Sequence, residues 1–311
     1  MRRKEIFAGG KRGEEPKKTN RKSIKPGTIM DIATTNVVTI PPTSTVMAAV
    51  KSMVTYSFRR LPIADPGTKR LEGIITATDI INFFGGGSKH RIVEDRYGNN
   101  LLAAVNEEVR EIMEREVISI EFTESLEDGL DVILKKGVGG CPIIDRDDRV
   151  VGMVTERDYL AYLAESNLTG EVSKYMTRGV ITAKPETSIE DAMKTMISRK
   201  IRRLPVIKDG VLVGLITSST LVRFFSGEAF RSLITGDASD ILEKPISSIL
   251  ANGNVLEYKE PLAFPPDANI SEVARRMIDV NHGAALIVSD GRLEGIITER
   301  DIVRFLYKVR K

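Results

Sequence analysis

A short motif with a chemically useful ending occurs four times along the 311-residue chain. In each copy a glycine and two apolar residues lead into a threonine, and the four threonines are Thr76, Thr155, Thr217 and Thr298. Three copies have an aspartate three residues later, at Asp79, Asp158 and Asp301, and the third copy has Thr220 there. A threonine at the junction of a strand and a helix presents a hydroxyl group beside free backbone N–H groups, which stabilise a phosphate. The Thr-x-x-Asp spacing is also that of a capping box, which folding alone would favour.

Each motif forms the end of a predicted β-hairpin. An apolar, strand-like run precedes the motif, and a polar turn joins the two runs. The preceding runs lie at 61–63, 141–144, 204–207 and 285–288. The turns of the third and fourth copies contain Asp209-Gly210 and Asp290-Gly291, a dipeptide that suits the positive φ angles of a tight hairpin.

Each hairpin is preceded by the signature of a helix start. The predicted N-cap residues are Thr45, Ser125, Ser188 and Asn269, at nearly constant distances before the motif glycines. Apolar residues recur one, four and eight positions after the cap, as at Val46, Ala49 and Met53, so one stripe of the helix faces a core. A closing helix is predicted after the motif, visible at 79–84, 158–163 and 301–306.

A unit is therefore a short opening strand, a helix, a hairpin and a closing helix, which is an α/β (α+β) arrangement of a small sheet with two packed helices. The opening strands are predicted at 37–40, 117–120, 180–183 and 262–264. Units of about 60 residues are marginal alone, so they are expected to pack on one another. The motif threonines are spaced long, short, long, which indicates a duplicated pair of units. The predicted segments are an arm at 1–25 and units at 26–85, 106–166, 170–227 and 244–308.

The helix, the apolar strand with Leu-Pro-Ile or Leu-Pro-Val, and the closing Gly-Ile-Ile-Thr-x-x-Asp resemble the cystathionine-β-synthase (CBS) domain. The resemblance covers four copies, from about residue 26 to about residue 308. It implies that two units form a module around a pseudo-two-fold axis, with up to two clefts between them, and that two modules form a disc. It also implies that the clefts bind an adenosine-containing ligand, namely AMP, ADP, ATP or S-adenosylmethionine.

The resemblance implies roles for individual residues. The motif threonines are expected to contact phosphate or ribose, and the motif aspartates to accept hydrogen bonds from the ribose hydroxyls. Arginines are expected on phosphate oxygens. They are Arg157 and Arg300, before two of the aspartates, and Arg59, Arg60, Arg202 and Arg203, before two of the Leu-Pro strands. The adenine is expected against the opening strands, at Thr39, Ile40, Ile118, Ile120, Ile181 and their neighbours.

Departures from the repeat predict differences among the clefts. Thr220 removes the carboxylate that would hold a ribose, so the third site is a candidate for vacancy. An extra segment at 251–261 can reshape one cleft, and residues 138–140 replace the arginines of units one and three, so the cleft beside them is expected to be less basic and more open. Cys141 is expected to be core packing rather than a reactive thiol.

Composition and charge exclude several classes of protein. No apolar run approaches the roughly 20 residues of a membrane-spanning helix, and no signal peptide follows Met1, so a cytoplasmic protein is expected. One cysteine and two histidines favour neither a metal cluster nor a cysteine–histidine nucleophile pair. The formal net charge is +3, but residues 1–25 hold ten Lys/Arg against three Glu, so this opening segment is expected to be a mobile basic arm.

Catalysis is not expected, because the repeats use nearly all of the ordered chain. The glycine run at 85–87 lacks the spacing of a Walker loop and is interpreted as a helix stop. The sequence predicts a regulatory sensor in which an adenine nucleotide or S-adenosylmethionine binds between paired units, without a metal, and controls an unidentified protein partner. A homodimer is expected. The alternative is a nucleic-acid-binding protein that uses the arm at 1–25, with the units as a dimerising scaffold.

Overall fold

The computed structural model of this chain describes residues 27–164, 169–227, 229–230, 239–251 and 261–310. The basic arm predicted at 1–25 lies outside these residues, as does most of the extra segment predicted at 251–261. No helix in the described ranges is long and apolar enough to cross a membrane.

The described chain contains the four predicted units in order. Unit one has α1 (Val46–Thr55), β1 (Arg60–Ala64), β2 (Leu71–Thr76) and α2 (Ala77–Ile81), and a linker with α3 (Arg91–Tyr97) and α4 (Leu101–Ala104) follows it. Unit two has β3 (Ile120–Glu121), α5 (Leu126–Lys136), β4 (Gly140–Ile144), β5 (Val150–Thr155) and α6 (Glu156–Ala164). Unit three has α7 (Ile189–Ser198), β6 (Arg203–Lys208), β7 (Val211–Thr217) and α8 (Ser218–Ser226), and it is followed by α9 (Ser239–Glu243) and α10 (Ser247–Ala251). Unit four has β8 (Ala263–Phe264), α11 (Ile270–Asp279), β9 (Ala284–Ser289), β10 (Arg292–Thr298) and α12 (Glu299–Arg310).

The first long helix of each unit begins at its predicted cap. The side chains of Thr45, Ser125 and Ser188 accept a hydrogen bond from the backbone N–H three residues later. Asn269 accepts one from the N–H of Ser271, two residues later. Each cap satisfies an N–H group that has no partner within the helix. The four predicted helix starts are confirmed.

The four hairpins share one antiparallel register. In each, the first residue of the hairpin lies opposite the motif threonine, in the pairs Arg60–Thr76, Gly140–Thr155, Arg203–Thr217 and Ala284–Thr298. The motif threonine also precedes the closing helix. This register therefore brings the arginines of units one and three next to the start of a helix.

The opening strands are shorter than predicted. A single β-bridge at Ile40 and another at Ala183 replace the strands of units one and three, and units two and four have the two-residue strands β3 and β8. Pro41 follows Ile40, and Pro265 follows β8. A proline has no N–H group to extend the ladder, so pairing stops there.

The closing helix of unit one ends at the glycine run, as predicted. After α2 the chain makes a π-helical turn over Asn82–Gly86, in which Gly85 has a φ angle of +145°. A residue with a side chain rarely adopts that angle, so glycine is required for the turn.

Units one and two exchange the segments that precede their opening strands, and unit three contributes its own segment to unit four. The N–H of Thr34, ahead of the opening strand of unit one, donates to the carbonyl of Met153 in unit two at 2.9 Å. In return the N–H of Glu114, ahead of the opening strand of unit two, donates to the carbonyl of Ile74 in unit one at 2.9 Å. Thr177 joins unit three to unit four in the same way. The units are thus paired as one with two and three with four.

Two shared cores join the modules to each other. Buried side chains of units one and three form one continuous cluster, and those of units two and four form another. In the first cluster the rings of Phe84 and Phe225, which occupy equivalent positions in the two modules, stack with centroids 4.1 Å apart. The four units of one chain therefore cover one another's apolar faces.

Candidate functional site

Each motif aspartate binds its own threonine. Asp158 Oδ2 accepts hydrogen bonds from the N–H and the hydroxyl group of Thr155, both at 2.7 Å. Asp79 and Asp301 bind their threonines in the same way. These contacts are those of the helix cap, and they use only one oxygen of each carboxylate. What else an aspartate can hold depends on the surroundings of its second oxygen, Oδ1.

In unit one that second oxygen contacts an internal lysine. Lys89 Nζ donates to Asp79 Oδ1 and to the carbonyl of Ile112. Lys89 lies in the linker after the glycine run and outside the repeat, so a comparison of the units gave no sign of this contact. A ribose that used Asp79 would have to displace the lysine ammonium group.

The motif of unit two lines a cavity of about 240 Å³, which we call the Asp158 cavity. Its lining includes Val37, Val38, Phe58, Arg59, Arg60, Thr155, Arg157, Asp158, Asn281 and Glu299. The exchange of segments described above explains why Val37 and Val38 of unit one lie beside the motif of unit two. The cavity thus combines an apolar wall with a hydroxyl group, two carboxylates and three guanidinium groups.

A second cavity, of about 180 Å³, is lined by the motif of unit three. We call it the cationic cavity, because its described lining includes four arginines and neither aspartate nor glutamate. The arginines are Arg59, Arg202, Arg203 and Arg223. Thr217 and Thr220 also line it, and the residues shared with the Asp158 cavity are Ser57, Phe58, Arg59 and Asn281. The two cavities are therefore neighbours with a common wall.

Two buried glutamates connect the modules, and one of them, Glu299, lines the Asp158 cavity. Glu299 of unit four accepts hydrogen bonds from Arg59 Nη1 at 3.1 Å and from Arg157 Nε at 2.7 Å, and both arginines belong to the other module. Glu156 of unit two accepts one from Arg300 Nε in the same fashion. As whole residues, Glu156 and Glu299 are only 4% and 3% exposed. Each module therefore supplies a carboxylate to guanidinium groups of the other.

Glycines allow further arginines to reach this centre. Arg60 Nη1 donates to the Gly139 carbonyl at 2.7 Å, and Arg203 Nη2 donates to the Gly283 carbonyl at 2.9 Å. A methyl group on Gly139 would lie 2.6 Å from Arg60 Nη2 and 2.9 Å from Arg202 Nη1. The expectation of a less basic and more open cleft beside residues 138–140 is therefore wrong. Arginines of units one and three fill the space that the glycine leaves.

Burial and neighbouring charges together shift the pKa values of three groups in this cluster. Burial lowers the pKa of Arg60 to about 10 and that of Arg203 to about 9, and neighbouring arginines act in the same direction. Burial opposes the ionisation of Glu299, but Arg59, Arg157 and Arg203 overcome it and lower the pKa of Glu299 to about 2. Arg60, Arg203 and Glu299 are therefore all charged at neutral pH.

Burial raises the pKa values of two other acidic groups nearby. It raises the pKa of Asp158, against the hydrogen bonds from Thr155, which lower it. It raises the pKa of the Cys141 thiol to about 12. Cys141 lies in the core of units two and four, which confirms the expectation that it packs there.

The structure brings some of the predicted site residues together and separates others. Those that line one of the two cavities are Arg59, Arg60, Thr155, Arg157, Asp158, Arg202, Arg203 and Thr217. Those that line neither cavity are Thr39, Ile40, Thr76, Asp79, Ile118, Ile120, Ile181, Thr298, Arg300 and Asp301. Among the latter, Ile40 and Ile120 are buried in the cores, and Ile181 is exposed.

Sequence reasoning missed several residues of the site that lie outside the predicted set. Phe58, Arg223, Asn281, His282 and Glu299 line one or both cavities, and Glu156 binds Arg300 nearby. Of these residues, only Glu156 and Glu299 could have been found in the sequence, because both belong to the repeated Thr-Glu-Arg-Asp of units two and four.

Comparisons with known proteins give the chain relatives along most of its length. A profile of the CBS domain matches residues 29–86, 109–165, 172–227 and 255–308. The uncharacterised protein MJ1225 of Methanocaldococcus jannaschii is 35% identical over 272 residues, which are 86% of this chain and 95% of that protein. Its crystal structure, described as that of a proposed archaeal homologue of γ-AMPK, matches with a TM-score of 0.83 and 34% identity, over 89% of this chain and 99% of the other.

Two further relatives are more distant. An uncharacterised 33.4 kDa protein in a ribosomal RNA operon of Thermofilum pendens is 27% identical over 272 residues, which are 87% of this chain and 88% of that protein. The crystal structure of an uncharacterised conserved protein from Pyrococcus horikoshii has the same fold, with a TM-score of 0.55 and 20% identity over 90% of this chain and 99% of the other.

Proposed function

The chain belongs to the CBS domain family, with the four tandem units that its sequence predicts, and we propose that it is a regulatory protein that binds an adenine nucleotide in the Asp158 cavity. Binding there alters the contact between the two modules and so controls a protein partner. The activity is regulatory and not catalytic. The main support is that a single cavity combines Asp158 and Thr155 with three arginines and an apolar wall.

Each part of a nucleotide has a matching group in this cavity. The adenine would lie against Val37, Val38 and the ring of Phe58, where apolar area is removed from water. The ribose hydroxyls would donate to Asp158 Oδ1, because Oδ2 is already used by the helix cap. The phosphates would lie at the start of α6, beside Arg157 and Arg59.

The charges of the cavity favour a nucleotide over S-adenosylmethionine. Its lining has Arg59, Arg60 and Arg157 against Asp158 and Glu299. A phosphate gains charge-assisted hydrogen bonds from guanidinium groups, whereas the sulfonium cation of S-adenosylmethionine is repelled by them. We therefore place AMP, ADP or ATP ahead of S-adenosylmethionine for this cavity.

The ion pairs at the centre suggest how binding would be transmitted. Arg59 belongs to the first module and is held by Glu299 of the second. A phosphate that binds Arg59 would compete with Glu299 for its N–H groups and so weaken a contact between modules. Such a change requires a ligand that binds two arrangements of the modules with different affinity. The description of MJ1225 as a proposed γ-AMPK homologue is in keeping with a regulatory role.

The test is isothermal titration calorimetry on nucleotide-free protein with AMP, ADP, ATP and S-adenosylmethionine. Asp158→Asn removes the negative charge but keeps an oxygen for the helix cap. We expect the wild type to bind a nucleotide and Asp158→Asn to bind it at least tenfold more weakly, since a hydrogen bond to a charged group contributes about 1.5–3 kcal/mol.

Asp128→Asn is the matched control. Asp128 accepts a hydrogen bond from its cap residue, Ser125, at 2.6 Å, but it lines neither cavity. Its variant is expected to keep wild-type affinity. Equal loss in both variants would mean that capping, and not ligand contact, explains the effect, and no binding of any nucleotide would overturn the proposal.

A further inference from the structure

The cationic cavity differs from the Asp158 cavity in its balance of charge. Four arginines line it, from units one and three, and its described lining has no carboxylate. Behind this lining, Glu299 binds Arg59 and Glu156 lies 3.9 Å from Arg202, so part of the positive charge is offset. The Asp158 cavity sets three arginines against Asp158 and Glu299. The cationic cavity therefore has the larger excess of positive charge, and it favours a ligand with several negative charges.

Two of these arginines converge on one glycine. Arg203 Nη2 donates to the Gly283 carbonyl at 2.9 Å, which uses one of the five N–H donors of a guanidinium group. A methyl group on Gly283 would lie 2.4 Å from Arg203 Nη2 and 2.8 Å from Arg59 Nη2. Two like charges are thus held close together in a partly buried place. An anion between them would relieve their repulsion and accept hydrogen bonds from both.

The motif of unit three has lost the group that would select a ribose. Thr220 stands where the other motifs have an aspartate, and its hydroxyl group lies 2.8 Å from the hydroxyl group of Thr217. This position therefore lacks a carboxylate that could accept hydrogen bonds from two ribose hydroxyls. It also lacks the negative charge that would repel a phosphate. Ser218, Ser219 and Thr220, the first residues of the nine-residue helix α8, also line the cavity, so the positive end of that helix lies beside it.

We propose that the cationic cavity binds an oligophosphate anion, a chain of two or more phosphates that is recognised through its phosphate oxygens without any contact to a ribose. The sequence predicts that this cleft is a candidate for vacancy, whereas the cationic lining favours a ligand of another class. The chain can be inorganic or can be the phosphate end of a nucleotide, and both present the same oxygens. This site goes beyond the nucleotide site at Asp158 and does not depend on it.

The experiment is calorimetric titration of the full-length, nucleotide-free protein at low ionic strength, where surface screening is small. The probes are orthophosphate, pyrophosphate, inorganic tripolyphosphate and ATP. We expect tripolyphosphate to bind at least tenfold more tightly than orthophosphate. ATP is titrated into the Asp158→Asn variant, in which the other site is weakened, and it is expected to bind no more than tenfold more tightly than tripolyphosphate. Tighter binding than that in this variant would mean that the nucleoside is recognised and would overturn the proposal.

Substitutions at Thr220 test the location. Thr220→Asp places a carboxylate in the cavity. Thr220→Asn is its control, because the asparagine side chain has nearly the size of aspartate but no charge. We expect tripolyphosphate to bind Thr220→Asp at least tenfold more weakly than Thr220→Asn. Equal affinity in the two variants would overturn the proposal, because a negative charge in the cavity must repel the anion.

A second pair of variants separates the two cavities. Arg223 lines only the cationic cavity, and Arg157 lines only the Asp158 cavity. We expect Arg223→Gln to weaken tripolyphosphate binding at least fivefold more than Arg157→Gln does. The reverse order would place the anion in the Asp158 cavity and overturn the second site, while nucleotide binding sensitive to Asp158→Asn would still stand.

Discussion

Glu299 is a residue whose side chain links the two modules. It is 3% exposed and accepts hydrogen bonds from Arg59 and Arg157 of the other module. Removing one partner from a buried ion pair leaves the other charges without compensation, which is far more costly than losing a surface pair. The residue is therefore expected to contribute to stability in a way that depends on its ionisation.

The expected result is a pH-dependent difference between wild type and Glu299→Gln. The folded state lowers the pKa of Glu299 from 4.5 to about 2, so its ionised form stabilises the folded protein above a pH of about 4.5. That contribution, of about 3 kcal/mol, is lost as the pH falls from about 4.5 to about 2. Urea unfolding should show Glu299→Gln about 3 kcal/mol less stable at neutral pH, with the difference disappearing over this acid range.

The exposed Glu116 provides the control, since Glu116→Gln changes one carboxylate without touching a buried arginine. Its stability should follow the wild type at every pH. A difference between wild type and Glu299→Gln that stays constant down to a pH of about 2 would contradict the assigned role of the ionised group.

At the scale of elements, the motif glycines are sites where a neighbouring unit comes close. A methyl group on Gly295 in β10 would lie 2.5 Å from Met176 Sδ and 2.9 Å from the Thr177 carbonyl oxygen, both in the segment that unit three contributes. The Thr177 carbonyl also accepts from the N–H of Ile296 at 3.0 Å. The glycine therefore allows the backbone ladder between units three and four to form.

Gly295→Ala should therefore weaken that ladder. Because the Thr177 carbonyl is backbone, it cannot turn aside as a flexible side chain would, and overpacking of this kind costs about 1–3 kcal/mol. Urea unfolding of Gly295→Ala and Gly67→Ala measures the effect. Gly67 lies in an exposed turn with only Asp65 Oδ1 at 3.4 Å, so its variant should stay within about 0.5 kcal/mol of wild type. Equal stability of the two variants would mean that the close approach has no energetic weight.

Elements of this kind show what the sequence could and could not predict. Caps such as Thr45 and hairpins such as β1–β2 depend on residues a few positions apart, so the repeat predicts them correctly. The opening strands were predicted too long, because the pattern shows apolar residues but not where a partner strand ends. Gly295 is visible in the sequence as the glycine of the repeated motif. Its contact with Met176 could not be predicted, because Met176 belongs to another unit and no local pattern connects the two residues.

The same limit applies to the candidate site. The Thr155–Asp158 motif and the arginine pairs are visible in the repeat, and the cavities do contain them. The pairing of Arg59 with Glu299 joins residues 240 positions apart in different modules. Lys89 on Asp79 lies in a linker that the repeat does not cover. Such contacts follow from how whole units pack, and no spacing within one unit encodes them.

At the scale of the whole molecule, the shared cores decide whether the chain behaves as two modules or as one body. Units one and three share one core and units two and four share the other, so neither module can lose its structure without exposing the apolar face of its neighbour. We therefore expect one cooperative unfolding transition for the four units. The predicted homodimer stays a prediction, and it would have to use surfaces outside these cores.

The stacked rings of Phe84 and Phe225 test that cooperativity. They belong to different modules but are in contact, so Phe84→Leu and Phe225→Leu should each cost about 1–3 kcal/mol in urea unfolding. The double variant should depart from additivity by about 0.5–1.5 kcal/mol, which is the coupling expected of an aromatic pair. Phe305 lies in the other core, so Phe84→Leu combined with Phe305→Leu should be additive within about 0.5 kcal/mol. Additive effects for Phe84 and Phe225, or two separate transitions, would mean that the modules unfold independently, and a ligand that binds one of them could then not act on the other through these cores.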